Sequence, residues 1–82
     1  MEKYTLAGLV GRHVLLGRVG GEALFGEVIG VETAGVWIKS GKATQMLEKR
    51  MTELGEEPGT YEAVVFIPMS TVQEIILSEP TA

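Results

Sequence analysis

Residues 61–77, YEAVVFIPMSTVQEIIL, hold the most apolar run of the chain and a second apolar run, separated by Pro68-Met69-Ser70-Thr71. Proline has no N–H to give to a sheet ladder, so it suits a strand end or a turn. Four residues make about one 3-10 turn, enough to redirect the chain between two strands. The break therefore predicts two short final strands, 61–67 and 72–77, that belong to a strongly bent sheet and not to one long ribbon. In a small barrel the two strands that meet at such a corner each present an edge. An unprotected apolar edge invites a second chain.

The preceding residues carry the same punctuation. RHVLLGRV reads as a strand, Gly20-Gly21 as a two-glycine hairpin signal, and EALFGEVIGVE as the returning strand. Gly26 and Gly30 within that strand suggest bending or close backbone approach, as at a barrel corner. Thr33-Ala34-Gly35 makes the next turn and VWIKS a third strand. Before all of these, KYTLAGLVG offers about one helical turn with Leu6, Leu9 and Val10 as its apolar side.

Residues 43–54, ATQMLEKRMTEL, change period. Met46, Leu47, Arg50, Met51 and Leu54 recur at helical spacing, with Gly55 as the C-terminal stop. Such a stripe implies packing on the parent barrel. The predicted fold is one mainly β domain over residues 1–82: a five-stranded, strongly bent SH3-like barrel with a short N-terminal helical turn. A helical insertion lies between strands 3 and 4, and the tail 78–82 is expected to fray.

Composition narrows the function. The chain has 82 residues, of which 45% are hydrophobic, and no cysteine, so neither a disulfide framework nor a thiolate metal site is expected. The single His13 has no identifiable partner for catalysis or metal binding, and no Asp occurs to support a nucleophilic Ser70 or Thr71. The glycine-rich GRVGGEALFG lacks the Lys-Ser/Thr ending of a phosphate loop. We expect no catalytic residues, no metal and no cofactor. A mean hydropathy of +0.21 is high for so short a soluble chain, and burial between subunits is the natural outlet. No run approaches the roughly 20 apolar residues of a membrane helix, and the first residues lack a secretory pattern, so a cytoplasmic, membrane-free protein is expected.

Eleven Glu against seven Lys and Arg give a formal charge of -4, which disfavours indiscriminate phosphate binding. Four of the cations, Lys39, Lys42, Lys49 and Arg50, nevertheless fall within twelve residues and form the one candidate nucleic-acid surface. Glu48, Glu53, Glu56 and Glu57 lie close by, and Lys49 to Glu53 has i,i+4 spacing, so a solvated mixed-charge face is the simpler reading. Glu22 and Glu27 are placed to neutralise Arg12 and Arg18 across the first hairpin. His13 should face outward, and Trp37 should be a half-buried barrel or interface aromatic.

The spacing resembles the Sm-like family, including its Hfq branch. Gly11, Val14, Leu16, Gly21, Gly26, Val28, Val31 and Glu32 follow the first Sm motif, with Arg18 where an apolar residue is usual. Ile67, Val72 and Ile75 follow the second, with Pro68 and Met69 in its Arg-Gly places. The resemblance covers roughly residues 6–77, with 40–59 standing in for a variable loop. It implies a homo-oligomeric ring closed by strands 4 and 5, with Val64, Val65, Phe66, Ile67, Val72, Ile75 and Ile76 at the subunit interface. The places that hold a uridine base in the family fall on Ala34, Val36 and Pro68, with Met69 beside them, and the Tyr-Lys-His run of Hfq falls on Val65, Phe66 and Ile67. None of these supplies the polar edges that a base pocket needs, so that site is expected to be inactive. Two readings remain: a ring that binds RNA through the basic group, or an oligomeric protein-interaction module of the SH3-like or PRC-barrel kind that presents the 43–54 helix to a partner.

Overall fold

The computed structural model describes residues 4–57, 59 and 62–79. A 3-10 turn, Ala7–Leu9, precedes strands β1 (His13–Arg18), β2 (Leu24–Glu32) and β3 (Gly35–Lys39). Helix α1 (Gly41–Glu53), β4 (Val64–Pro68), a second 3-10 turn (Met69–Thr71) and β5 (Val72–Leu77) complete the order. All five strands form one antiparallel sheet in the spatial order β4-β3-β2-β1-β5. The mainly β fold, the helix between strands 3 and 4, and the 3-10 break at Met69–Thr71 agree with the sequence reading.

A single sheet can bury one of its own faces only by curling round it. Val14 and Leu16 from β1, Leu24 and Val28 from β2, Val36 and Ile38 from β3, and Ile67 from β4 form one buried cluster that Leu9 caps. Val65, Ile75 and Leu77 pack against it with partial exposure. Curvature is set where the backbone is irregular. The β2–β3 register shifts between Val28 and Gly30, and the β1–β5 register shifts at Gly17/Arg18. A Cβ at Gly26 would lie well inside 3.0 Å of the Lys39 carbonyl oxygen, so the strands approach there as closely as glycine permits. Gly30 has another role: it stands beside the β2 bulge, with only Trp37 Cδ1, at 3.8 Å, near its missing side chain.

Four local expectations are corrected. The first connection is not a two-residue hairpin, because β1 ends at Arg18 and β2 starts at Leu24. Only Gly20 of the glycine pair takes positive φ (72°), while Arg18 Nε donates to the Glu22 carbonyl across the wider loop. Helix α1 begins two residues early because Ser40 is its N-cap: the Ser40 hydroxyl accepts from the Ala43 N–H, and its carbonyl accepts from the Thr44 N–H. In the N-terminal turn only Leu9 reaches the core, while Leu6 and Val10 stay about half exposed. At the other end Ser78 N donates to His13 O, and Arg12 pairs with Glu79 at 2.9 Å, so the sheet extends past Leu77. Residues 80–82 of the expected frayed tail, and Tyr61 of the expected fourth strand, lie outside the described residues.

The largest correction concerns α1. Most of its apolar stripe does not pack on the barrel: Met46 is 57% and Leu54 78% exposed, Met51 is partly buried, and Ala43 is the helix's one buried residue. Among the described residues the helix is fastened at its first turn, by the Ser40 cap, by Thr44 Oγ1 accepting from Ala63 N at 2.9 Å, and by the Lys42–Glu22 ion pair. Beyond that turn it projects. The radius of gyration is 14.0 Å, against about 12 Å for a compact chain of this length.

Candidate assembly edges and binding surfaces

The sheet order leaves β4 and β5 as its two edges, each hydrogen-bonded to one neighbour only. Backbone hydrogen bonds at the strand ends fix which groups face outward. Met69 N donates to Ala34 O at 2.8 Å, and Ser40 N donates to Ala63 O at 3.4 Å. These contacts set the alternation along the β3–β4 ladder. With Trp37 opposite Phe66 and Lys39 opposite Val64, the hydrogen-bonding pairs are Val36–Ile67 and Ile38–Val65. The N–H and C=O groups of Val64 and Phe66 therefore point away from β3, to the free edge. Pro68, next in that series, has no N–H to offer, and its carbonyl accepts from Thr71 Oγ1. The proline thus ends the open edge as well as the strand.

The β5 edge follows in the same way. Ser78 N donates to His13 O at 3.0 Å, which makes Leu15–Ile76 a hydrogen-bonding pair and turns the backbone groups of Ile75 and Leu77 outward. Each edge therefore offers two consecutive sets of donor and acceptor, flanked by apolar side chains. Val64 is 45% and Ile76 51% exposed, and Phe66, half-buried, tilts against Trp37 with ring centroids 4.9 Å apart. Trp37 itself is 40% exposed on the outer face. Beside β5, the groups of Tyr4, Leu6, Leu9, Ile75 and Leu77 line an apolar groove of about 300 Å³. Sequence reasoning missed this groove, since only the fold brings the N-terminal turn against the last strand.

Among the residues expected at the interface, Ile67 is 2% exposed and Val65, Val72 and Ile75 lean on the core, so the side chain of Ile67 serves its own barrel. Val64, Phe66 and Ile76 point outward. Of the positions matching a base pocket, Val36 is fully buried in the core, and Ala34 and Met69 are joined through their backbones. Val65, Phe66 and Ile67, at the Hfq positions, form the middle of β4.

The basic group does not come together as a free cationic surface. Lys39 Nζ lies 3.7 Å from Glu27 and 3.5 Å from Glu62, and Lys42 pairs with Glu22. The Lys42 ammonium, through its hydrogen bond and its charge, holds the Glu22 carboxyl below the usual glutamate range. Lys49 and Arg50 stand exposed on α1. The expected neutralisation holds in part: Glu22 still feels the charge of Arg18 while it pairs with Lys42, whereas Glu27 lies beside Lys39 and Arg12 takes Glu79. His13 faces outward as expected and stacks on Phe25 at 6.0 Å. The two rings form one wall of a polar cleft, shared with Glu27, Lys39 and Glu62, at the foot of α1.

Among the described residues no group of three or more His, Cys, Asp or Glu could hold a metal ion, and no helix is long and apolar enough to cross a membrane. No protein-family model, no curated protein and no solved structure matches the chain.

Proposed function

We propose that this chain is a cytoplasmic, non-enzymatic Sm-like barrel that assembles with itself, β4 of one copy against β5 of the next, into a closed ring that serves as a binding scaffold. The observation that carries this reading is the pair of open edges, each with two outward sets of backbone donors and acceptors among apolar side chains. Such edges in a monomer are a standing invitation to strand addition. Because one chain carries both, the contact is head-to-tail and repeats until the ring closes.

The ring presents protein-docking helices in preference to an RNA surface. Lys39 and Lys42 are engaged by Glu27, Glu62 and Glu22, and counterion release from phosphates needs cations not already neutralised. The α1 stripe of Met46, Leu47 and Leu54 is solvent-facing, and repetition around a ring would multiply it. An open SH3-like or PRC-type barrel that assembles by the same edges would serve the same role.

Light scattering on the purified protein, with the 260/280 nm absorbance ratio read across the same peak, tests this function. A stable multiple of the 8.8 kDa chain mass with a protein-like ratio is the expected result. An oligomer that carries nucleic acid would replace docking by RNA binding, and a clean monomer would overturn the reading.

A further inference from the structure

Helix α1 is finished at both ends by its own sequence and is covered along little of its length. Ser40 caps its start. At its end Gly55 takes positive φ (80°), Gly55 N donates to Thr52 O at 3.0 Å, and Glu56 N donates to Met51 O at 2.8 Å. That pair of bonds satisfies carbonyls of the last turn, so the helix is shaped before anything binds it. At about 100° per residue, Met46, Arg50, Leu54 and Leu47 follow one another round a stripe about 100° wide. A helix buries a stripe of that width against a neighbour. All four side chains are solvent-exposed. Met51 and Thr44, next round the helix, are partly buried, and Thr44 is bonded to Ala63, so they border the stripe on the side of the parent chain. Gln45, Glu48, Lys49 and Thr52 occupy the opposite side.

Arg50 selects what can cover this stripe. It is the one charge within it, it stands midway between Met46 and Leu54, and among the described residues no ion pair engages it. A wholly apolar partner would leave a guanidinium buried and unpaired, which costs free energy. A second α1 is excluded by symmetry. A parallel pair in register sets Arg50 against Arg50, and an antiparallel pair centred on the stripe does the same, because position 50 is its midpoint. Like charges so opposed disfavour a contact. A carboxylate opposite Arg50 removes both difficulties, since the guanidinium fork grips it with two parallel hydrogen bonds. We propose that α1 docks an amphipathic helix of a different protein, an assignment that rests on the docking role given to α1 above. The apolar stripe of that helix carries a Glu or Asp that pairs with Arg50, between contacts to Met46, Leu47 and Leu54. The contact runs for two turns, about 12 Å from Met46 to Leu54. The unbranched Met46 side chain adapts to the surface it meets.

Two fluorescent synthetic helical peptides test this on the whole protein. They are identical except at the centre of a leucine stripe, where one carries Glu and the other Lys. Anisotropy titration is expected to show the Glu peptide binding about tenfold or more tightly than the Lys peptide, a coupling of the size measured for close charge pairs. Arg50 is exposed, so R50E should leave the circular dichroism unchanged and reverse the preference. Met46→Ser should weaken both peptides. Equal affinities for the two peptides, or binding of neither by the folded protein, would overturn the proposal. Single-stranded RNA that binds the protein and is lost in R50E would make Arg50 a phosphate contact and overturn it as well. A fall in the native mass on Met46→Ser would show the stripe to lie between copies, with the same consequence. Light scattering on the same samples separates this contact from the ring. A monomer that keeps the Glu preference would overturn the ring and support the contact, whereas an oligomer that binds neither peptide would overturn the contact and leave the ring intact.

Discussion

Val64→Pro is expected to separate the proposed ring into folded monomers. The Val64 N–H points to the free edge, so the substitution removes no hydrogen bond within the chain, and the first position of a strand tolerates proline. Between copies it deletes a donor and puts a pyrrolidine ring in the path of the incoming strand. One lost hydrogen bond is worth about 1 kcal/mol. The steric obstruction adds to it, and every joint of a ring carries the lesion. We expect the dissociation midpoint to rise by roughly a hundredfold or more, equivalent to about 3 kcal/mol per joint, with the far-ultraviolet circular dichroism of the monomer unchanged. Val65→Pro is the contrasting variant. Its N–H belongs to the β3–β4 ladder, opposite Ile38, so it should unfold β4 instead of only parting the copies. If Val64→Pro kept the native mass, β4 would not be the joining edge.

Gly26→Ala is expected to be the most damaging single-methyl change in the sheet. The added carbon would meet the Lys39 carbonyl oxygen well inside 3.0 Å and Ile38 Cγ1 at 3.0 Å, and a backbone atom cannot step aside without opening β2 from β3. We expect a loss of about 3 kcal/mol, at the upper end of ordinary point mutations. For a domain this size that is a fall in Tm of roughly 10–20 °C. Gly35→Ala should behave similarly, since its Cβ would come within 2.6 Å of Phe66 Cζ and closer still to the Ile67 carbonyl. Gly30→Ala, whose nearest neighbour is Trp37 Cδ1 at 3.8 Å, should cost little. Thermal melts of the three variants test the order. Equal Tm values for Gly26→Ala and Gly30→Ala would mean that the close β2–β3 approach does not shape the barrel.

How much of this could be read from the residues alone depends on the range of the interaction concerned. The break at Pro68, the turn at Gly20 and the stop at Gly55 are local: a missing donor or a positive φ constrains the chain wherever it occurs, and these were legible. Alternation along the strands also placed His13 outward and Trp37 at a half-buried position for the same reason. Helix α1 was legible as a helix, but not in its placement. Periodicity says that Met46, Leu47, Met51 and Leu54 share a side, and it is silent on whether anything lies opposite. Here the helix is held at Ser40 and Thr44 and then leaves the barrel. The mixed-charge character of the lysine face was legible, but not the partners, because Glu22, Glu27 and Glu62 come from three separate segments. The contrast between outer-face Phe66 and inner-face Ile75 at the two edges required the register, which depends on bulges that no single residue announces.

The pairing of edges between copies is tested most directly by amide hydrogen exchange, resolved by residue, on the protein at assembling concentration. Within one chain Val65 and Ile67 donate to β3, whereas Val64, Phe66, Ile75 and Leu77 direct their N–H groups outward. A monomer would therefore show alternating protection along β4 and β5. Edge pairing predicts slow exchange at all four outward amides, lost on dilution while Val65 and Ile67 remain protected. Fast exchange at Val64, Phe66, Ile75 and Leu77 at every concentration would contradict it.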